Sequence, residues 1–167
     1  MTNIIFKHEE SEWKERMQKK PKLRSYRYFK TELKLENYLS TSTFFRGRVL
    51  MTAIRSGTNK LRIDVGRREK KQEILRVCEQ CDLGHVENEV HLVILCPKYN
   101  SLRESLFQEI EKVSSSKWRL KELGGHDRFL ILVNGTGDSY QMKIFQQFQT
   151  FLFRAFKLRE ADVVVYL

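Results

Sequence analysis

Three cysteines and one histidine are the residues whose types and spacing best suit them to act together. In RVCEQCDLGHVENEVHLVILCPKY they follow the pattern Cys78-x2-Cys81-x9-His91-x4-Cys96. A pair of thiolates two residues apart can be turned by one tight bend toward a single ion, and a distant second pair closes the tetrahedron. All three cysteines of the chain fall in this window. An odd count of closely spaced thiols in a reducing compartment points to metal rather than to disulfides. Three thiolates and one imidazole make a closed shell suited to Zn2+, with no vacancy for a water nucleophile, so the expected role is structural. His85 competes with His91 as fourth donor, and three unliganded thiols beside a core histidine are the bland alternative. His91 and Cys96 differ by five positions, about 140° of rotation on a regular helix. A helix bearing His91 must therefore loosen before Cys96, and Pro97 favours this by driving the preceding residue out of helical dihedrals. Leu92 and Leu95 are expected to pack this short helix onto the body.

The elements that must position these residues read as mostly helical. Glu10, Glu12 and Glu15 precede Lys14, Arg16 and Lys19 by four positions, the favourable order on a helix, with Trp13 and Met17 as a narrow apolar edge. After Pro21, Tyr26, Phe29 and Leu33 predict a second helix from about Lys22 to Tyr38. The SYRYFK stretch in it suits base stacking but more commonly marks a core. Ser40, Thr41, Ser42 and Thr43 offer N-caps to a third helix whose buried stripe is Phe45, Val49, Leu50 and Ile54, ended by Gly57. Leu61, Ile63 and Val65 alternate with Arg62 and Asp64, which predicts a short strand ending at Gly66. RREKKQE is then a loop or an exposed turn. Beyond the cysteines, Tyr99, Leu102, Leu106, Ile110 and Val113 line one face of a helix starting at Pro97, and Ser114 to Ser116 end it as the best linker candidate. FLILV at 129–133 is a strand or a helix start, NGTGDS is a turn, and the apolar arc from Tyr140 to about Arg159 is either deeply packed or a docking surface. The expected fold is mainly α, a helical domain with a small zinc-bound knuckle and at most short strands. Its parts are a basic helical region 1–76, a knuckle and following helix 77–113, and a helical region 114–167 packed on the same core.

The chain has 167 residues and a formal charge of +10, which suits one modest domain. The charge is uneven: residues 1–76 carry twenty Lys/Arg against nine Asp/Glu, residues 77–113 three against seven, and residues 114–167 eight against five. A basic segment next to an acidic finger makes the finger a rigid clip rather than the phosphate grip. The clip would present Arg67, Arg68, Lys70, Lys71 and Arg76, with Lys98 and Arg103 behind it, to RNA or DNA. Glu79, Asp82, Glu87 and Glu89 supply the acidity around the ligands. No apolar run is long enough for a membrane span and the N-terminal residues carry acids where a signal peptide is apolar, so an intracellular site, nuclear or cytoplasmic, is expected with no membrane partner. No spacing groups Ser, His and acids into a triad or dyad, so neither catalysis nor a small-molecule substrate is expected. A protein-interaction role through the aromatic face of residues 140–158 is the alternative to nucleic-acid binding.

In order, RSYRYFK, LENYLS, FRGRVLMTAIRSGTNKLRIDVGR, CEQC, EVHLVILCPKYNSLR and RAFKLR resemble the region downstream of the polymerase in LINE-type, non-long-terminal-repeat retrotransposon proteins. The likeness covers about residues 22–113 well and the rest loosely. It implies that Cys78, Cys81, His91 and Cys96 are the zinc ligands of an element that binds template RNA or target DNA during target-primed reverse transcription. The aromatic-x-Asp-Asp polymerase signature of such proteins is missing from this sequence, and so is an acidic cluster suited to a two-metal nuclease.

Overall fold

The computed structural model describes residues 2–41 and 44–164, and its architecture is mainly α with no sheet among them. The core is built on the C-terminal helix, Gln141–Val164, whose Ile144, Phe145, Phe148, Phe151, Leu152, Ala155 and Phe156 are all buried. That arc spans more than one side of the helix, so it needs partners on two flanks. They are the helices Phe45–Ser56 and Asn100–Val113, with Gly125–Asn134 closing one end. In chain order we label the helices α1 (Thr2–Gln18), α2 (Arg24–Phe29), α3 (Asn37–Thr41), α4 (Phe45–Ser56), α5 (Arg62–Arg68), α6 (Asn100–Val113), α7 (Gly125–Asn134) and α8 (Gln141–Val164). Residues from Phe29 to Phe156, Cys78 and Cys96 among them, enter one continuous core. The aromatic face expected as a docking surface at 140–158 is therefore largely inside: Phe145, Phe148, Phe151 and Phe156 are enclosed, while Tyr140, Met142 and Phe153 are half-buried and Leu158 is exposed. No described helix is long and apolar enough to cross a membrane.

Local pattern and structure agree along α1, where the Glu10–Lys14 and Glu15–Lys19 pairs form at 3.0 and 2.6 Å and Met17 is buried. They agree again at Pro97, which opens a 3-10 turn, Pro97–Tyr99, running into α6. The FLILV run is helical, inside α7.

Three expectations need correction. The single helix from Lys22 to Tyr38 is broken after Phe29, because Lys30 and Glu36 fold inward. The Arg55 guanidinium lies between the Phe29 and Tyr38 rings, at 5.6 and 5.5 Å, and donates to Glu36 at 2.9 Å and to the Val133 carbonyl at 2.6 Å. Lys30 closes the same cluster on Glu36 at 3.0 Å. A buried cation needs its counter-charge, and bringing Glu36 to it costs the intervening helical turns. In α4 the expected stripe is rotated: Gly47, Met51, Ile54 and Arg55 face the core, while Phe45 and Val49 are exposed. Gly47 sets this, because a Cβ there would stand 2.6 Å from Gln149 Cβ on α8, so the two helices cross at its bare backbone. Its N-cap is Phe44, with no side-chain cap bond; Ser42 and Thr43 lie outside the described residues.

The third correction is the strand at Leu61–Gly66, which is α5. The alternation is real, with Leu61 and Ile63 buried, but Asp64 and Gly66 are buried too. The first amides of a helix lack partners within it. Here the Arg62 N–H donates to the Glu87 carboxylate at 2.8 Å and the Ile63 N–H to the Glu87 carbonyl at 3.0 Å, a cap supplied from outside the segment.

Gly57 ends α4 at φ 63°, and a Cβ there would meet the Lys22 carbonyl oxygen at 2.3 Å. Both the left-handed backbone and an immovable neighbour reserve the position for glycine. Gly57→Ala is expected to lower stability by about 1–3 kcal/mol, read as a lower urea midpoint with an unchanged denaturant slope.

Candidate metal centre

The knuckle begins with a short hairpin. Val77 and Val86 form an antiparallel bridge, and Cys78 N–H to His85 carbonyl and Glu87 N–H to Arg76 carbonyl, each 2.9 Å, flank it. The turn between them carries Cys78 and Cys81, and the Gln80 N–H points at Cys78 Sγ from 3.3 Å. The second pair comes from the segment after the hairpin. His91–Leu95 is wound as a π-helical turn, and the Cys96 N–H donates to the His91 carbonyl at 2.7 Å. This is how the helix loosens. An i to i+5 bond makes each turn wider than an α turn, so position i+5 returns toward the face of position i, and Cys96 is brought round beside His91. Cys96 itself is extended, at φ −63° and ψ 121°, as a residue before proline prefers.

The donor atoms of Cys78, Cys81, His91 and Cys96 all lie within 4.8 Å of one another. Cys81 Sγ and His91 Nε2 are 3.4 Å apart, close to the roughly 3.5 Å edge of a tetrahedron with metal–sulfur and metal–nitrogen bonds of about 2.3 and 2.0 Å. None of the cysteines forms a disulfide. These four side chains could hold a metal ion. His85 stays outside the set: its ring centroid is 6.0 Å from that of His91, stacked edge-on against it, and the residue is exposed.

Burial pushes the Cys78 and Cys96 thiols well above their ordinary range and holds the His91 imidazole below its own. Burial therefore works against bare thiolates at Cys78 and Cys96 and favours the neutral imidazole at His91, the form in which imidazole ligates. Binding a cation would release the thiol protons. The His91 Nδ1 atom is buried without a hydrogen-bond partner.

The surroundings of the four residues were not legible as sequence. Two of the four acids expected to lie around the finger are buried struts. Glu87 has no exposed surface, and its carboxylate pairs bidentately with Arg159 of α8 while also capping α5. One of its oxygens is 3.6 Å from Cys78 Sγ. Glu89 is paired with Arg24 of α2 at 3.0 Å. Arg103, expected behind the clip as a phosphate contact, is buried; it donates to the Val93 and Cys96 carbonyls, both at 2.8 Å, and to Asn100 Oδ1 at 2.6 Å. It therefore holds the end of the π turn, where carbonyls lack intrahelical donors. Lys98 reaches Gln80 Oε1 at 2.8 Å and ties the two ligand segments together. Of the two leucines expected to pack the turn onto the body, Leu92 does so with Val93, while Leu95 is exposed.

The basic run before the knuckle divides in the same way. Arg68, Lys70 and Lys71 are exposed, Lys71 in an ion pair with Glu69 at 2.9 Å. Arg76 lies along Gly66 and donates to the Lys71 and Ile63 carbonyls, and Arg67 is half-buried with its Nε 3.9 Å from the buried Asp64. Positive charge is thus placed both facing solvent and under α5.

No protein-family model, curated protein or solved structure matches the chain.

Removing one member of a buried ion pair leaves the other charged and unpartnered. Glu87→Ala is expected to cost about 3–5 kcal/mol, measured by chemical denaturation, because it uncovers Arg159 and uncaps α5 in one step. A loss under about 1 kcal/mol would show that Glu87 is not the strut described.

Proposed function

We propose that the chain is a non-catalytic nucleic-acid-binding module whose knuckle is closed by Zn2+. The convergence of three sulfurs and one imidazole nitrogen within 4.8 Å carries the metal assignment. Soft thiolates with a single imidazole suit zinc among the common divalent ions, and a shell filled by four protein donors makes the ion a structural one. Cys78, Cys81, His91 and Cys96 would hold it, and its chemistry there is to fix the hairpin against the π turn. A thiolate set of this kind carries a net negative charge, which the buried Arg103 beside the Cys96 carbonyl offsets, while Arg159 balances the neighbouring Glu87.

The nucleic-acid part of the proposal rests on charge. The chain carries +10 overall, and Arg68, Lys70 and Lys71 stand exposed on the segment that the knuckle anchors through Arg76 and Glu87. The resemblance to the post-polymerase region of LINE-type retrotransposon proteins leads to the same proposal. Contacts to phosphates position a protein on its polyanion without reading sequence.

Phosphate binding has a quantitative signature in salt. Affinity for duplex DNA, followed by fluorescence anisotropy, is expected to fall linearly with log salt concentration, by about 0.9 log units per contact. Arg68→Gln with Lys70→Gln should reduce that slope by about 1.8. Salt-insensitive binding, or none at low salt, would overturn the proposal.

A further inference from the structure

The rotation of α4 leaves an apolar groove between α4 and α8 that the knuckle does not use. Phe45 is 68% exposed and Val49, one turn on, is 50% exposed. With Leu50, Phe153 and Phe156 they line a cleft of about 270 Å³. Phe44 packs edge-on against Phe153 at 5.5 Å, and the Lys157 ammonium sits 5.7 Å from the Phe153 ring centre.

Basic side chains outnumber acids along both walls, although Arg55 and Arg159 are spent inside the protein on Glu36 and Glu87. Between Glu36 and Asp64 the sequence has no acid but carries Arg46, Arg48, Arg55, Lys60 and Arg62. Between Asp138 and Glu160 it has none but carries Lys143, Arg154, Lys157 and Arg159. Arg46 and Lys157 stand at the rim, and the one acid that lines the groove, Glu160, is 3.3 Å from Lys60. An apolar floor with aromatic rings under a cationic rim matches a partner that joins flat apolar faces to regularly spaced negative charge. A helical peptide fits less well, since it needs anchors over i, i+3, i+4 and i+7, and the uncovered strip on α4 is only Phe45 and Val49. Bases with their phosphates meet each requirement: stacking tolerates any base, and cations follow the backbone.

We infer that the groove between α4 and α8 binds single-stranded nucleic acid, with a base stacked on Phe45 and the adjoining phosphates held by Arg46 and Lys157. This assignment rests on the function proposed above and deepens it by naming the strand form. α8 continues from the groove to Arg159, which binds Glu87 beside Cys78, so the groove and the metal centre share one rigid helix.

The test compares the wild-type chain with Phe45→Ala, an exposed position whose truncation spares the core, by anisotropy on oligothymidylate, on a duplex of equal length and on an abasic strand. Phe45→Ala is expected to weaken oligothymidylate binding roughly 5- to 100-fold, with duplex and abasic-strand binding changed less than about twofold and the melting temperature unchanged. Arg46→Gln with Lys157→Gln should lower the single-strand salt slope by about 1.4. The groove assignment is overturned if Phe45→Ala leaves oligothymidylate binding intact, if polyglutamate displaces the strand as effectively as oligothymidylate does, or if the substitution dissolves a dimer, which would make the groove a contact between copies. Duplex binding that persists alongside a Phe45-independent single-strand affinity sinks only the groove. Absence of binding to every probe sinks the proposed function with it.

Discussion

The constraint on which the knuckle depends is that three sulfurs and one imidazole nitrogen, from a hairpin turn and the segment that follows it, must share one small volume. Cys78 and Cys81 are delivered by the hairpin turn; His91 and Cys96 are delivered by a π-helical turn that an ordinary α-helix could not replace. Residues five apart on an α-helix diverge by about 140°, so the widened turn and the extended residue before Pro97 are conditions for the site. Burial disfavours the charged forms of Cys78, Cys96 and His91. A coordinated cation would stabilise the thiolates there, which is why metal affinity and folding are coupled in small sites of this kind.

Around that centre the protein uses charge as internal scaffolding. Glu87 joins the hairpin, the start of α5 and the end of α8, and Glu89 joins the turn before His91 to α2. Arg103 and Arg76 hold carbonyls on either side of the knuckle. The Glu87 and Glu89 contacts connect segments far apart in sequence, so the knuckle is part of the helical body's core. Each of the two finger acids spent inside takes one arginine with it, Arg159 and Arg24, so the outward basic charge comes from the remaining surplus of Lys and Arg in the chain.

Much of this was legible in the residues alone. The clustering of Cys78, Cys81, His91 and Cys96 follows from their spacing, and the Glu-before-Lys pairs of α1, the apolar faces of α6 and α8 and the terminating Gly57 are local signals that each operate within a few residues. What escaped was set by distant partners. The alternation over Leu61 to Val65 looked like a strand because nothing nearby reveals that Glu87 caps a helix there. The α4 stripe was misplaced by one face because the close crossing at Gly47 depends on α8. The sequence pattern of Arg76 and Arg103 is that of surface cations, because a guanidinium's carbonyl partners cannot be seen in a sequence, and the break after Phe29 follows from the buried Arg55–Glu36 pair. In each case long-range electrostatics or packing overrode a sound local preference.

Native mass spectrometry of the purified chain, with metal analysis, tests the central claim most directly. One zinc ion per chain is expected, retained in His85→Ala and lost or greatly depleted in His91→Ala and Cys78→Ser. A metal-free wild type, or zinc that survives His91→Ala and disappears with His85→Ala, would contradict the account.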